Sequence, residues 1–206
     1  IGAYAVGILT TKAGWSFWAA FPVAALAAGA MGALLALPAL RVKGPYLAMV
    51  TIAFGFIVEH SAVEMRDLTG GQNGIMGIAA PSLGWDALRG ERAVAALAIV
   101  AAALALIGFI KLSRGSWGAA LRAVRDAETA SESIGLNPLT VKTVAFTVSA
   151  LLAGVAGGLY APLSGFVTPH SFSFLQSILF VLVVMIGGSG SIAGPLVGAL
   201  IVGLLP

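Results

Sequence analysis

The sequence predicts an all-α fold made of several membrane-crossing helices, and three observations predict it: scarce charge, long apolar runs without alternation, and basic residues gathered where those runs end. Only 11 Lys and Arg and 8 Asp and Glu occur among 206 residues, so 9% of the chain is charged and 59% hydrophobic, with a mean hydropathy of +1.03. A soluble domain carries about 25% charge, and so few charges cannot clothe a water-facing surface. In lipid every backbone polar group needs an internal partner, which restricts spanning structures to helices and closed barrels. Barrel strands alternate apolar and polar residues over roughly ten positions; these runs are longer and apolar on all sides. The net charge of +3 belongs to residues flanking apolar runs, where the positive-inside rule explains it and nucleic-acid binding is not needed. There is no cysteine, hence no disulfide framework and no thiolate metal site. Residues 1–206 read as a single transmembrane domain. Ile1 and Pro206 each lie in an apolar stretch, so the sequence reads as a piece of a longer polypeptide, truncated at both ends and without a signal peptide.

A span needs about 20 largely apolar residues. Residues 1–10 read as the tail of a helix begun upstream. Phe17–Leu40 is a full span closed by Arg41 and Lys43. Gly44–Val58 begins the next and runs into Glu59, Glu64, Arg66 and Asp67, after which a polar stretch extends through Glu91 and Arg92. Ala93–Ile110 is a span ended by Lys111 and Arg114, and Pro138 to Phe166 is a long apolar segment. Phe174–Ile186 is short, interrupted by Gly187-Gly188-Ser189-Gly190-Ser191, and Ile192–Pro206 begins a last one. Seven basic residues (Arg41, Lys43, Lys111, Arg114, Arg122, Arg125, Lys142) fall on one side of this arrangement and four (Lys12, Arg66, Arg89, Arg92) on the other. The richer side is expected to be cytoplasmic, which places residues 111–137 inside the cell and 62–92 in the periplasm.

Small residues recur every fourth position at Ala24, Ala28, Gly32 and Ala36, again at Ala150, Gly154 and Gly158, and at Gly194 and Gly198. Such stripes let membrane helices approach backbone to backbone. Helix packing within a bundle accounts for them, and nothing in them names a solute.

The polar connector 111–142 has an internal pattern. Trp117, Leu121, Val124 and then Ala127 or Glu128 recur at helical spacing. Arg122 and Asp126 are four apart and Arg125 and Glu128 three apart, so both pairs can meet on one helix surface. Gly135 is a natural helix stop, Asn137 a cap, and Pro138 the first position of the next helix. Two readings of this amphipathic helix stand: it lies in the headgroups, or its stripe is a docking surface for a cytoplasmic partner.

The segment Arg122-Ala-Val-Arg-Asp-Ala-Glu128-Thr-Ala-Ser-Glu132-Ser-Ile-Gly135-Leu-Asn137 resembles the cytoplasmic EAA loop of ABC importer permeases, which inserts a short helix into the cleft of an ATPase subunit. It departs from the plain pattern in that Glu128 is followed by Thr129 and Ala130, and Gly135 lies one position late. This form is similar to that of branched-chain amino acid permeases. Leu40 to Phe54, Leu68-Thr-Gly-Gly-Gln-Asn-Gly-Ile75, Ser164-Gly-Phe-Val-Thr-Pro169, and Gly187 to Ser191 with Gly194-Pro195 resemble the same family, in family order across nearly the whole chain. The resemblance implies an ABC importer permease bundle, of which this chain is a fragment, in the bacterial inner membrane. It also implies a second permease subunit, cytoplasmic ATPase subunits that bind the ATP and magnesium, and a periplasmic solute-binding protein. No cofactor is expected in this chain itself. The residues implied for ATPase coupling are Arg122, Arg125, Glu128, Ala130, Glu132 and Gly135. Urea and short-chain amide importers use similar permeases and stand as the alternative solute class.

Two further segments are candidate sites. Thr69, Gly70, Gly71 and Asn73 permit tight turns with bare backbone that face a solute or a binding protein, or they form an ordinary turn. Gly187, Gly188, Ser189, Gly190 and Ser191 break an apolar segment, either as a broken helix along a translocation path, as transporters use, or as a surface hairpin. No Gly-Lys-Ser/Thr follows, so this is not a phosphate loop. Glu59 and His60, at a span end, read as snorkelling side chains. No metal cluster and no Ser-His-Asp or paired-carboxylate arrangement stands out, which leaves an intramembrane enzyme without residues. A secondary transporter needs ion ligands inside its spans, and the acidic residues here fall in loops or at span ends.

Overall fold

The computed structural model describes residues 1–39, 45–78, 81, 91–188 and 193–204. In chain order the helices are α1 (Gly2–Thr11), α2 (Phe17–Ala39), α3 (Pro45–Glu64), α4 (Arg66–Thr69), α5 (Glu91–Arg114), α6 (Ser116–Asp126), α7 (Glu128–Ser133), α8 (Pro138–Ser164), α9 (Phe174–Gly187) and α10 (Gly194–Leu204). Short 3-10 turns cover Gly71–Asn73 and Pro169–Phe172, and two strands, β1 (Ile75–Met76) and β2 (Phe166–Val167), pair antiparallel. Residues 1–168 form one compact unit and 169–206 another. Among the described residues, four stretches are long and apolar enough to cross a membrane: Phe17–Pro38, Arg92–Arg114, Pro138–Ser164 and Pro169–Gly187. The helical, multi-span fold expected from composition is therefore what the chain adopts.

The first unit is organised by the small-residue stripes. α2 and α8 pack along their lengths, and the two stripes face one another: a Cβ on Gly154 would sit 2.5 Å from the Ala28 Cβ, and one on Gly32 2.2 Å from the Ala150 Cβ. No side chain fits there, so the backbones themselves make the contact. α1 completes the seam, with Gly2 against the backbone of Gly154 and Ala3 against Gly157. Apolar burial concentrates at one end of this bundle, where Ala3, Val6, Phe17, Ala24, Leu159, Ala161, Ile75, Ile78 and Val167 form a single cluster.

The helix read from Gly44–Val58 continues to Glu64. Residues 59–64 contain neither glycine nor proline, so nothing in the backbone stops the helix where the charges begin. Glu59 and His60 therefore stand on its last two turns. His60 is exposed, its Nδ1 2.9 Å from the Phe56 carbonyl oxygen one turn back.

The second unit is a pair of helices in close backbone contact. A Cβ on Gly187 would lie 1.8 Å from the Gly194 carbonyl oxygen, and one on Gly198 2.0 Å from that of Val183. The Gly194 and Gly198 stripe thus packs α10 against α9. Gly188 ends α9 with a φ of 90°, which a side chain resists. Ser189, Gly190 and Ser191 lie outside the described residues.

Candidate functional site

The connector between α5 and α8 folds as two helices: α6 packs against both α5 and α8, and α7 lies against α8. α6 turns back tightly from α5: a Cβ on Gly118 would lie 1.9 Å from the Ser113 carbonyl oxygen, so the return admits only glycine. Arg122 Nη1 donates to that same carbonyl at 2.8 Å. α6 buries Gly118 and Val124, while Leu121 is half-buried and Trp117, Arg122 and Arg125 are exposed.

Helical spacing predicts one helix running from Trp117 to Gly135. The chain instead breaks at Ala127, whose backbone is extended at φ −153° and ψ 91°. Ala127 closes α6 through its N–H to the Ala123 carbonyl (2.9 Å) and opens α7 by accepting from the Ser131 N–H (3.0 Å). Beyond the break α7 lies against α8. Ser131 is buried and its hydroxyl donates to the Ala127 carbonyl at 2.8 Å. Lys142, one turn into α8, donates from Nζ to Glu128 Oε1 at 2.7 Å. The charge pairs expected from spacing are accordingly replaced. Arg125 Nε meets Asp126 Oδ1 at 2.8 Å, Arg122 is taken by the Ser113 carbonyl, and Glu128, displaced by the break, turns to Lys142. Lys142 had no signal as a site residue, since a separation of 14 residues across a turn has no periodicity to reveal it.

The helix stops behave as their chemistry dictates. Gly135 has a φ of 85°, its N–H donates to the Glu132 carbonyl, and that of Leu136 donates to the Ser131 carbonyl, both at 3.0 Å. These bonds satisfy carbonyls that the end of α7 would otherwise leave open. Asn137 Oδ1 accepts from the N–H groups of Leu139 (3.0 Å) and Thr140 (3.4 Å), and Pro138 stands in the first turn of α8. Of the six coupling candidates, Arg122, Arg125, Ala130, Glu132 and Gly135 are exposed. Glu128 alone is turned toward α8, its side chain 32% exposed.

At the opposite ends of α5 and α8, two distant segments meet. Ile75 pairs with Val167 and Met76 with Phe166, and the Ile78 N–H donates to the Gly165 carbonyl at 3.2 Å. A Cβ on Gly74 would lie 2.0 Å from the Val167 carbonyl oxygen. Lys12 Nζ donates to the Asp67 carbonyl beside them. Thr69 is buried: its hydroxyl lies 2.5 and 2.8 Å from the Ala62 and Met65 carbonyls, sharing one proton between them, and it accepts from the Gly71 N–H at 3.2 Å. Gly70 and Gly71 have φ of 76° and 62°. With Arg66, Gln72 and Asn73 they line an open polar recess of about 340 Å³. Between the spans, α5 and α8 border an apolar groove of about 300 Å³ whose lining includes Val94, Ala98, Ala101, Val155, Leu159 and Tyr160.

The family model for the branched-chain amino acid transport system permease component matches residues 1–206. The chain belongs to that permease family. Among its relatives in the family, the high-affinity branched-chain amino acid transport system permease protein LivM of Escherichia coli is 38% identical over 93% of this chain and 50% of its own length. The permease protein LivH of the same system and organism is 34% identical over 50% of this chain and 32% of its own length. The fructose import permease protein FrcC of Rhizobium meliloti is 36% identical over 45% of this chain and 27% of its own length. The chain spans about half the length of LivM, and no solved structure matches it. As a member of that permease family it is a multi-pass membrane protein, and the segments paired by β1 and β2 are two of the blocks that carry the family likeness.

Proposed function

We propose that this chain is the membrane-spanning part of an ATP-driven importer in the bacterial inner membrane, passing hydrophobic, branched-chain amino acids received from a periplasmic binding protein. It works beside a second permease subunit. ATP and magnesium are bound by separate cytoplasmic subunits, so this chain hydrolyses nothing. The basic-residue count puts α6 and α7 on the cytoplasmic side and the β1–β2 ladder on the periplasmic side.

The observation that carries this reading is the outward face of α6 and α7. Arg125, Ala130 and Glu132 are exposed on helices whose other faces are fixed to α5 and α8, a shape suited to a polar partner surface. A helix lying in the headgroups would turn a continuous apolar face outward; here Trp117 and Ile134 are exposed at the two ends, and the exposed residues between them are charged or small. For the solute, the LivM likeness over nearly the whole chain and the apolar groove between α5 and α8 both favour a branched aliphatic side chain. The FrcC likeness over under half of the chain favours a different small solute as the second reading.

The test uses the complete transporter in lipid nanodiscs with loaded binding protein. Arg125→Glu and Glu132→Lys are expected to insert normally and to lose most of the solute-stimulated ATP hydrolysis, because like charges then meet at the contact. Unchanged stimulation in both removes this face as the docking surface. Uptake of labelled leucine against fructose decides between the two solute readings.

A further inference from the structure

Resting on the reading of this connector as the ATPase-coupling segment, we propose that Lys142 is a positioning residue: its ion pair with Glu128 fastens α7 to the start of α8, so that a push on α7 is passed to that span.

Both halves of the connector pack against α8, and α6 packs against α5 as well. α6 follows α5 after the single residue Gly115, packs Gly118 beside the Ser113 carbonyl with no room for a side chain, and binds that carbonyl again through Arg122 at 2.8 Å. α7 is held to α8 by its own contacts. Ser131 is buried, Lys142 reaches Glu128 at 2.7 Å, and the Gly135 turn and Asn137 cap set how α7 joins α8. Between the halves stands Ala127, extended and without a side-chain oxygen to cap either helix. The Arg125–Asp126 pair does not cross this point.

A displacement of α7 therefore reaches α8 through its first turn, where Lys142 sits. From there it has a stiff route, since α8 runs against α2 with Gly154 on Ala28 and Ala150 on Gly32, contacts with no slack for independent sliding. The same geometry assigns the Glu128 carboxylate to the permease itself, although family likeness places that residue among the partner contacts. Both side chains of the pair are about one-third exposed, at 33% and 32%, so the pair is open to partial screening but is also accessible to a charge exchange that leaves the buried residues alone.

The experiment takes the full-length permease with its second permease subunit, ATPase and binding protein in nanodiscs, and reads solute-stimulated ATP hydrolysis together with co-purification of the ATPase. Glu128→Lys and Lys142→Glu each set like charges together. Each is expected to lower stimulation about tenfold, the scale of a coupled charge pair, while the ATPase still co-purifies. The double variant Glu128→Lys/Lys142→Glu is expected to return within about twofold of the parent, and Lys142→Arg to behave as the parent. Normal stimulation in both single variants overturns the proposal, as does a double variant no better than the singles, which would turn Glu128 toward the ATPase. Failure of the underlying coupling reading shows differently: Arg125→Glu and Glu132→Lys would then leave stimulation intact, and the proposal would fall with it.

Discussion

At Gly154 and Gly32 the α2–α8 seam has no space for even a methyl group. Gly154→Val is expected to force the helices apart at a cost of about 1–3 kcal/mol, the range for overpacked cores. It should lower the Tm of the purified permease in detergent by several degrees. Gly108→Ala is the control: no atom lies within 4 Å of its would-be Cβ, and alanine favours a helix over glycine by up to about 1 kcal/mol. An unchanged Tm for Gly154→Val would mean the seam relaxes freely. Thr69 makes a second residue-scale case. Thr69→Val keeps the shape but leaves the Gly71 N–H and two carbonyls without their hydroxyl, at about 1–3 kcal/mol, whereas Thr69→Ser retains it; thermal unfolding of the two variants should separate them. The stripe at Gly154 was legible because period-four small residues have one common use in membranes. The burial of Thr69 was not: a Thr-Gly-Gly run speaks of a surface turn. Its real partners at Ala62 and Met65 exist because α3 continues past the charges that seemed to end it.

Among the elements, α8 begins on chemistry that sequence states outright. Asn137 and Pro138 form a start signal, and Gly135 the stop before it. Asn137→Ala is expected to cost about 1 kcal/mol and to speed hydrogen exchange at the amides of Leu139 and Thr140, with Asn137→Asp keeping the cap and the slow exchange. Equal exchange in both variants would show that water substitutes for the side chain. The break between α6 and α7 gave no such signal. Alanine is the strongest helix former, and what overrides it is tertiary: beyond the break α7 packs against α8 and Glu128 meets Lys142 there. The register of a connector that docks on its own spans is set by those spans, and residues 116–133 alone do not contain it.

For the molecule as a whole, composition sufficed for the fold class, and the order of apolar runs placed the helices to within a few residues, except α3, which runs on from Val58 to Glu64. It could not show which loops meet, since Gly74–Ile78 and Gly165–Val167 find each other only through the helices between them. Orientation is open to direct measurement, because residues 1–206 contain no cysteine. Gln72→Cys and Ser133→Cys both replace exposed residues, whereas Ser131 is 2% exposed and would be a poor probe. An impermeant thiol reagent on intact cells is expected to label Gln72→Cys and to miss Ser133→Cys; the opposite pattern inverts the topology. The β1–β2 ladder has a further consequence, for biogenesis. It joins residues about 90 apart, Ile75 to Val167 and Met76 to Phe166, and a ring of that size costs little more to close than one half as long. The restriction lies in timing. A chain threaded into the bilayer from its N-terminus cannot close the ring until α8 has crossed and Phe166 has emerged. Until then Ile75 and Ile78, both buried in the finished protein, have no cover from this strand, and β1 is an open edge. The ladder thus reports completed insertion of α8, and a chain in which that step fails displays an unpaired apolar edge to whatever protease or chaperone surveys nascent membrane proteins.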